Sequence, residues 1–103
     1  MNADIRVGTI VKAAPAEGLR KPSLRLHIDF GDELGIKRSC AQLTAHYAPG
    51  ELIGRQVAAW VGTEPKQIGP YMSECLVLGF PGDDGEPVLV MPTKRVPNGG
   101  QLY

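Results

Sequence analysis

Glycine and proline together occupy 22 of the 103 positions, 13 Gly and 9 Pro. Proline cannot sit inside a helix without removing a hydrogen bond, and an interior glycine costs a helix about 1 kcal/mol relative to alanine. At this density they divide the chain into pieces too short for long helices, and the expectation is an all-β protein. The longest stretch free of both runs from Ile36 to Ala48. A chain of this length is one domain, residues 1–103. Surface scaling leaves about 5,700 Å² exposed of roughly 16,000 Å² in the unfolded chain, enough for one small core without metal or disulfide staples.

The strands can be read directly. Leu24, Leu26, Ile28 and Phe30 alternate with Arg25, His27 and Asp29, the period-two pattern of a strand with one dry and one wet face. Residues 4–13, DIRVGTIVKA, are rich in β-branched side chains, and Gly8 in their midst marks a bulge or a close backbone approach. QVAAWVGT at 56–63 and ECLVLGF at 74–80 are apolar on both faces and read as core strands. PGDDGEP at 81–87 reads as a hairpin turn built on Asp84-Gly85. IKRSCA begins a further strand, and a short helix is expected around Gln42 to Tyr47, ended by Pro49. Five or six short strands with one helix after the third match the five-stranded Greek-key barrel known as the OB-fold, here with an extra C-terminal strand or tail.

Eleven basic residues balance eleven acidic ones, so any nucleic-acid contact must come from a local patch. Lys37, Arg38, Arg55 and Lys66, with Ser73 and with Arg25 and Lys12 alongside, are candidates for one face tracking a phosphate backbone; a solvated strand face is the alternative. Of six aromatics, Phe30, Trp60 and Phe80 fall in apolar strands and are assigned to core or interface, which leaves little for base stacking. Ile68, Tyr71 and Met72, joined by Trp60, form an adaptable apolar set suited to varied polypeptide side chains, or else to covering one end of the barrel.

Cys40 and Cys75 lie in no CxxC, and with His27 and His46 they show neither zinc-ligand spacing nor a nucleophile motif, so they read as buried thiols. The acidic pairs Asp32-Glu33 and Asp83-Asp84 sit in turns. No phosphate-binding glycine loop is present, and the expectation is a non-enzyme with no cofactor and no metal. The longest apolar runs are far below the roughly 20 residues of a membrane span, and the N-terminus carries no signal-peptide pattern, which points to the cytoplasm. The VPNGGQLY segment keeps Val96, Leu102 and Tyr103 apolar, and with Ile5 and Val7 these are expected to pair with a second copy in a homodimer.

DIRVGTIVKA, LHIDFGDELGIKRSCAQLTAHY, LIGRQVAAWV, SECLVLGF and VPNGG, in that order, resemble the CsaA family of export-related chaperones over nearly the whole chain. That family is similar to the tRNA-binding domain appended to some methionyl- and phenylalanyl-tRNA synthetases and to endothelial monocyte-activating polypeptide. IDFG with ELGIK and SECLVLG points to the chaperone branch. The resemblance implies an OB-fold homodimer that holds unfolded or presecretory polypeptides without catalysis; an export motor is a candidate partner. The alternative it carries is a tRNA-binding module acting in trans. The chain departs from the family at Cys40, where Ser-Ser-Ala-Gln is usual, at Gly62 in place of Asn, and at Glu64-Pro65 in place of Pro-Pro. The first two changes remove polar positions that lie near the nucleic-acid face in the tRNA-binding relatives.

Overall fold

A computed structural model describes residues 3–103. Its elements are β1 (Ile5–Pro15), β2 (Leu24–Asp29), β3 (Ile36–Ala41), α1 (Pro49–Leu52), β4 (Gln56–Trp60), β5 (Lys66–Ile68), β6 (Tyr71–Ser73), β7 (Leu76–Val77), β8 (Gly79–Pro81) and β9 (Pro87–Leu89). Five strands form one antiparallel sheet in the order β3-β2-β1-β4-β7, and β5–β6 and β8–β9 are separate hairpins. The sheet curls into a nearly closed barrel, the all-β architecture expected from the sequence. Leu24, Leu26 and Ile28 point inward with Ile10, Phe30, Leu43, Leu52, Val57, Ala59, Cys75 and Leu89 to make the core.

The seam between β3 and the segment leading into β7 is closed by side chains as well as backbone. Glu74 N–H donates to the Arg38 carbonyl at 2.7 Å. The Glu74 carboxylate accepts the Arg38 N–H at 2.9 Å, and Ser73 Oγ accepts the Cys40 N–H at 3.2 Å. Ser39 Oγ and Ser73 Oγ both donate to the Cys75 carbonyl, at 2.8 and 3.2 Å. Buried backbone groups are thereby satisfied where a regular ladder does not run.

Three local expectations are corrected. The helix does not end at Pro49 but begins there: residues 44–46 form a turn, and Pro49 opens α1, a position where its missing N–H would be unpaired anyway. Glu51 supports that start by accepting the Ala48 N–H at 2.7 Å. ECLVLGF is not one strand, because the chain breaks at Leu78 and resumes as β8. Phe80, assigned to core or interface, is not in the core: it is 70% exposed and stands opposite Val88 on the β8–β9 hairpin.

Gly8 marks a close approach rather than the bulge. A Cβ there would come within 2.6 Å of Ile28 and 2.8 Å of Phe30 inside the barrel. The bulge lies three residues on: Ile10 pairs with Ile28, but the next pair is Lys12 with His27. Val11 is the extra residue, and the insertion reverses the inside-outside phase of β1. Ile10 and Ala13 accordingly oppose the inward residues Ile28 and Leu26, and Lys12 opposes the outward His27.

The C-terminal segment is docked. Gly99 N–H donates to the Val7 carbonyl, Val7 N–H to Gly100, and Leu102 N–H to Ile5. Gln56 binds the Val96 backbone through both ends of its amide, at 2.7 and 3.0 Å. Asn98 Oδ1 accepts from Thr9 Oγ and Gln56 Nε2. Gly99 has φ +90°, and a Cβ there would meet the Phe30 carbonyl oxygen at 2.5 Å, so this turn requires glycine twice over.

Substituting Gly8→Ala should lower stability by about 1–3 kcal/mol through overpacking. Urea unfolding with an unchanged slope and a reduced midpoint would show it; an unchanged midpoint would mean the interior at Gly8 yields freely.

Candidate binding site

The outer face of β1, β2 and β3 gathers positive charge by register. Lys12 on β1, His27 on β2 and Arg38 on β3 lie side by side in one cross-strand row. Arg25 follows two residues along, opposite Ala14 and Cys40. Directly opposed residues share a face, so the row is set by backbone pairing. A groove of 350 Å³ lies over it, lined by Val11, Lys12, Ala13, Ala14, Arg25, His27 and Ile53. His27 Nδ1 is the one buried side-chain nitrogen or oxygen among the described residues with no hydrogen-bond partner.

A second groove, of 530 Å³, runs between the β1–β2 loop and the β5–β6 hairpin. Leu19 and Ile68 supply its apolar lining, and Arg20, Lys21, Ser23 and Gln42 its polar one. Tyr71 holds the two walls together: its hydroxyl donates to the Glu17 carbonyl at 3.0 Å, and the Arg25 guanidinium sits 5.6 Å above its ring. Such cation–π contacts contribute about 0.5–1 kcal/mol at exposed sites. The strands 2–3 face with the loops between strands 1–2 and 4–5 is where OB-folds take their ligands; the second groove lies against the β1–β2 loop there, and the first lies beside it over β1 and β2.

The expected phosphate-tracking set is only partly assembled. Arg38 is exposed and paired with Glu74, Nε to carboxylate at 2.9 Å. Lys37 opposes the inward residue Ile28 and so lies on the other face from Arg38. Lys66 is exposed on β5. Arg55 is separate: its Nε donates back to the Glu51 carbonyl, and it lines a depression with residues 91–95. Ser73 is 2% exposed and holds the barrel seam, so it positions β6 instead of meeting a ligand. Lys12 and Arg25 share the outer face with Arg38, and Arg20 and Lys21 of the β1–β2 loop, outside the expected set, line the second groove. A Gly-Leu-Arg-Lys-Pro loop between two strands was the available signal.

The expected peptide set also divides. Ile68 lines the second groove, Tyr71 braces it, and Met72 is half-buried beside them on β6. Trp60 pairs with Ile5 and Leu76 and shares the sheet face of Val7 and Ala58. On that face Ile5, Val7, Ala58, Val96, Leu102 and Tyr103 line a third, largely apolar groove of 410 Å³. The five residues expected at a self-association surface are therefore brought together.

Neither thiol is poised to react. Burial raises the Cys40 thiol above its ordinary value and pushes Cys75 up to about 11, far from the thiolate form that nucleophiles and metal ligands need. His46 is engaged with Asp84, Nε2 to carboxylate at 3.1 Å. Among the described residues no three His, Cys, Asp or Glu side chains are grouped to hold a metal ion, and no helix is long and apolar enough to cross a membrane.

A five-stranded antiparallel barrel with a helix after the third strand and basic, groove-bearing β1–β3 strands defines an OB-fold binding module. The model of the putative tRNA binding domain family matches residues 5–101, and the chain belongs to that family. It is 38% identical over 96 residues to the methionine–tRNA ligase of Methanothrix thermoacetophila and 33% identical over 102 residues to that of Porphyromonas gingivalis. These matches take in 93% and 99% of this chain but 14% and 15% of the enzymes. The crystal structure of chaperone CsaA from Bacillus anthracis superposes with a TM-score of 0.91 at 44% identity, over 98% of this chain and 91% of that one. CsaA from Picrophilus torridus gives 0.91 at 40% identity, over 99% and 92%.

The hydrogen bond and charge of Arg38 hold the Glu74 carboxyl below its ordinary value of 4.5. A lowered carboxylate value stabilises the fold above the ordinary value, and the stabilisation disappears as pH falls through the lowered one. Glu74→Gln should thus lower stability at neutral pH by up to about 1 kcal/mol, since the pair is largely solvated. The difference from wild type should close in acid. Urea midpoints against pH test this, and a gap that persists in acid would mean packing, not charge, holds the seam.

Proposed function

We propose that this protein is a CsaA-like molecular chaperone that binds extended segments of unfolded or presecretory polypeptides without catalysis. The observation that carries this reading is the 44% identity to a CsaA chaperone across nearly the full length of both chains. The geometry that supports it is the groove between the β1–β2 loop and the β5–β6 hairpin, with Leu19 and Ile68 to meet apolar side chains. Masking such segments keeps a client unfolded by mass action alone.

Self-association belongs to the same reading. The Ile5, Val7, Val96, Leu102 and Tyr103 face is the apolar surface that a second copy would cover, giving each assembly two grooves and the avidity of linked sites. Light scattering should give about twice the chain mass of 11.1 kDa, and Leu102→Asp should return it to the monomer. A wild-type mass of one chain overturns the dimer.

A second reading is favoured by a specific observation: the Lys12, Arg25 and Arg38 face, with Arg20 and Lys21 beside it, on a member of the putative tRNA binding domain family. It makes the protein a tRNA-binding module acting in trans through phosphate contacts.

Anisotropy of a labelled, permanently unfolded polypeptide separates the two. The chaperone reading expects micromolar binding, reduced at least tenfold by Ile68→Asp and unaffected by moderate salt. Absent polypeptide binding, with labelled tRNA bound at physiological salt, would replace it by the second reading. Competition between the ligands would show that they share the OB face.

A further inference from the structure

The bulge in β1, the lone unpartnered nitrogen of His27 and the basic row meet at one place. Without the extra residue Val11, a β1 that kept Ile10 inward would also turn Lys12 inward; with it, Lys12 stands outward opposite His27. His27 is surrounded by Lys12 from β1, Arg38 from β3, and Arg25 and Asp29 from its own strand. Asp29 is turned to the Gly31 N–H at 2.8 Å, so the groove over His27 is left with cations and no carboxylate among its lining residues.

His27 lines that groove, and its Nδ1 is sealed from solvent with no partner. Nε2 is then the nitrogen presented to the groove. In the neutral ring, a proton on Nδ1 would bury a donor with nothing to receive it. A proton on Nε2 leaves only an unmatched lone pair inside, which proteins tolerate more readily than an orphaned N–H. The ring is therefore built to donate outward.

We infer that this groove is a phosphate subsite, in which Lys12 and Arg25 supply charge and His27, as its Nε2–H tautomer in mildly alkaline buffer, donates a hydrogen bond from Nε2 to a phosphate oxygen. The inference rests on the tRNA-binding reading and names the contact within it. A neutral donor adds affinity without releasing a counterion, whereas each lysine or arginine on a phosphate adds about one to the salt slope. The two kinds of contact can thus be told apart.

The experiment uses the full chain labelled with ¹⁵N-histidine; the protein has two histidines, and His46→Gln leaves a single ring to observe. In mildly alkaline buffer His27 should show the Nε2–H tautomer, and its Nε2 signal should move when inorganic phosphate is added. An Nδ1–H tautomer, or a signal unmoved by both phosphate and tRNA, overturns the subsite. With labelled tRNA, His27→Phe should weaken binding about five- to tenfold at an unchanged salt slope, and Lys12→Ala should weaken it while flattening the slope by about one. A slope lowered by His27→Phe overturns the neutral donor. Tight tRNA binding unaffected by His27→Phe overturns the subsite but leaves the tRNA reading standing. Movement with inorganic phosphate and no tRNA binding does the reverse. A variant that fails to fold leaves the decision to the wild-type spectra.

Discussion

Closure of the barrel depends on the contact of β3 with the Ser73–Cys75 segment. β7 is two residues long and pairs only with β4, so it cannot close the sheet by itself. Ser73, Glu74, Ser39 and the Cys75 carbonyl complete the seam with bonds that replace ladder rungs. The same bonds fix β6, since Ser73 is its last residue. Through β6 they place Tyr71, and through Tyr71 the β1–β2 loop. One short stretch of chain thus links closure of the core to the walls of the groove outside it, and the Arg38–Glu74 pair stands at the junction.

The C-terminal segment is organised on a similar plan. Its backbone lies along the first half of β1, where β2 has diverged, and Gln56, Thr9 and Asn98 join it to the barrel at depth. Arg6 adds a bond from Nη1 to the Gly99 carbonyl at 2.9 Å while its Nε pairs with Asp4. The outer side chains of this segment, Leu102 and Tyr103, remain exposed.

Local patterns made much of this legible. The alternation from Leu24 to Phe30 and the Asp84-Gly85 hairpin rest on short-range rules, and each stands in the structure. What escaped was set by long-range pairing. The bulge at Val11 carries no glycine to announce it and is visible only from the shift against β2. The split of the peptide set, with Trp60 on the face of Val7 and Ala58, needed the register with β1. Lys37 and Arg38 are neighbours in sequence and for that reason lie on opposite faces, while Lys12 and Arg38, 26 positions apart, share one. Pro49 misled because proline both ends helices and begins them, and only the following Gly-Glu-Leu turn decides which. The family resemblance located the fold and its relatives, but it could not say which cations the barrel sets side by side.

The loop over the second groove is anchored through its main chain. Tyr71 donates to the carbonyl of Glu17, Ala16 pairs with the carbonyl of Ser23, and Ser23 Oγ donates to the carbonyl of Lys21. None of these bonds uses a side chain of residues 17–21. Apart from Gly18, whose φ of +81° favours glycine, the identity of those side chains is thus free to change while the loop keeps its path, because any residue supplies the same carbonyl. Binding preference and architecture are written in separate parts of the sequence here. A lineage can exchange an apolar groove wall for a charged one without rebuilding the barrel, and one frame can serve a chaperone in one setting and an appendage of a tRNA ligase in another.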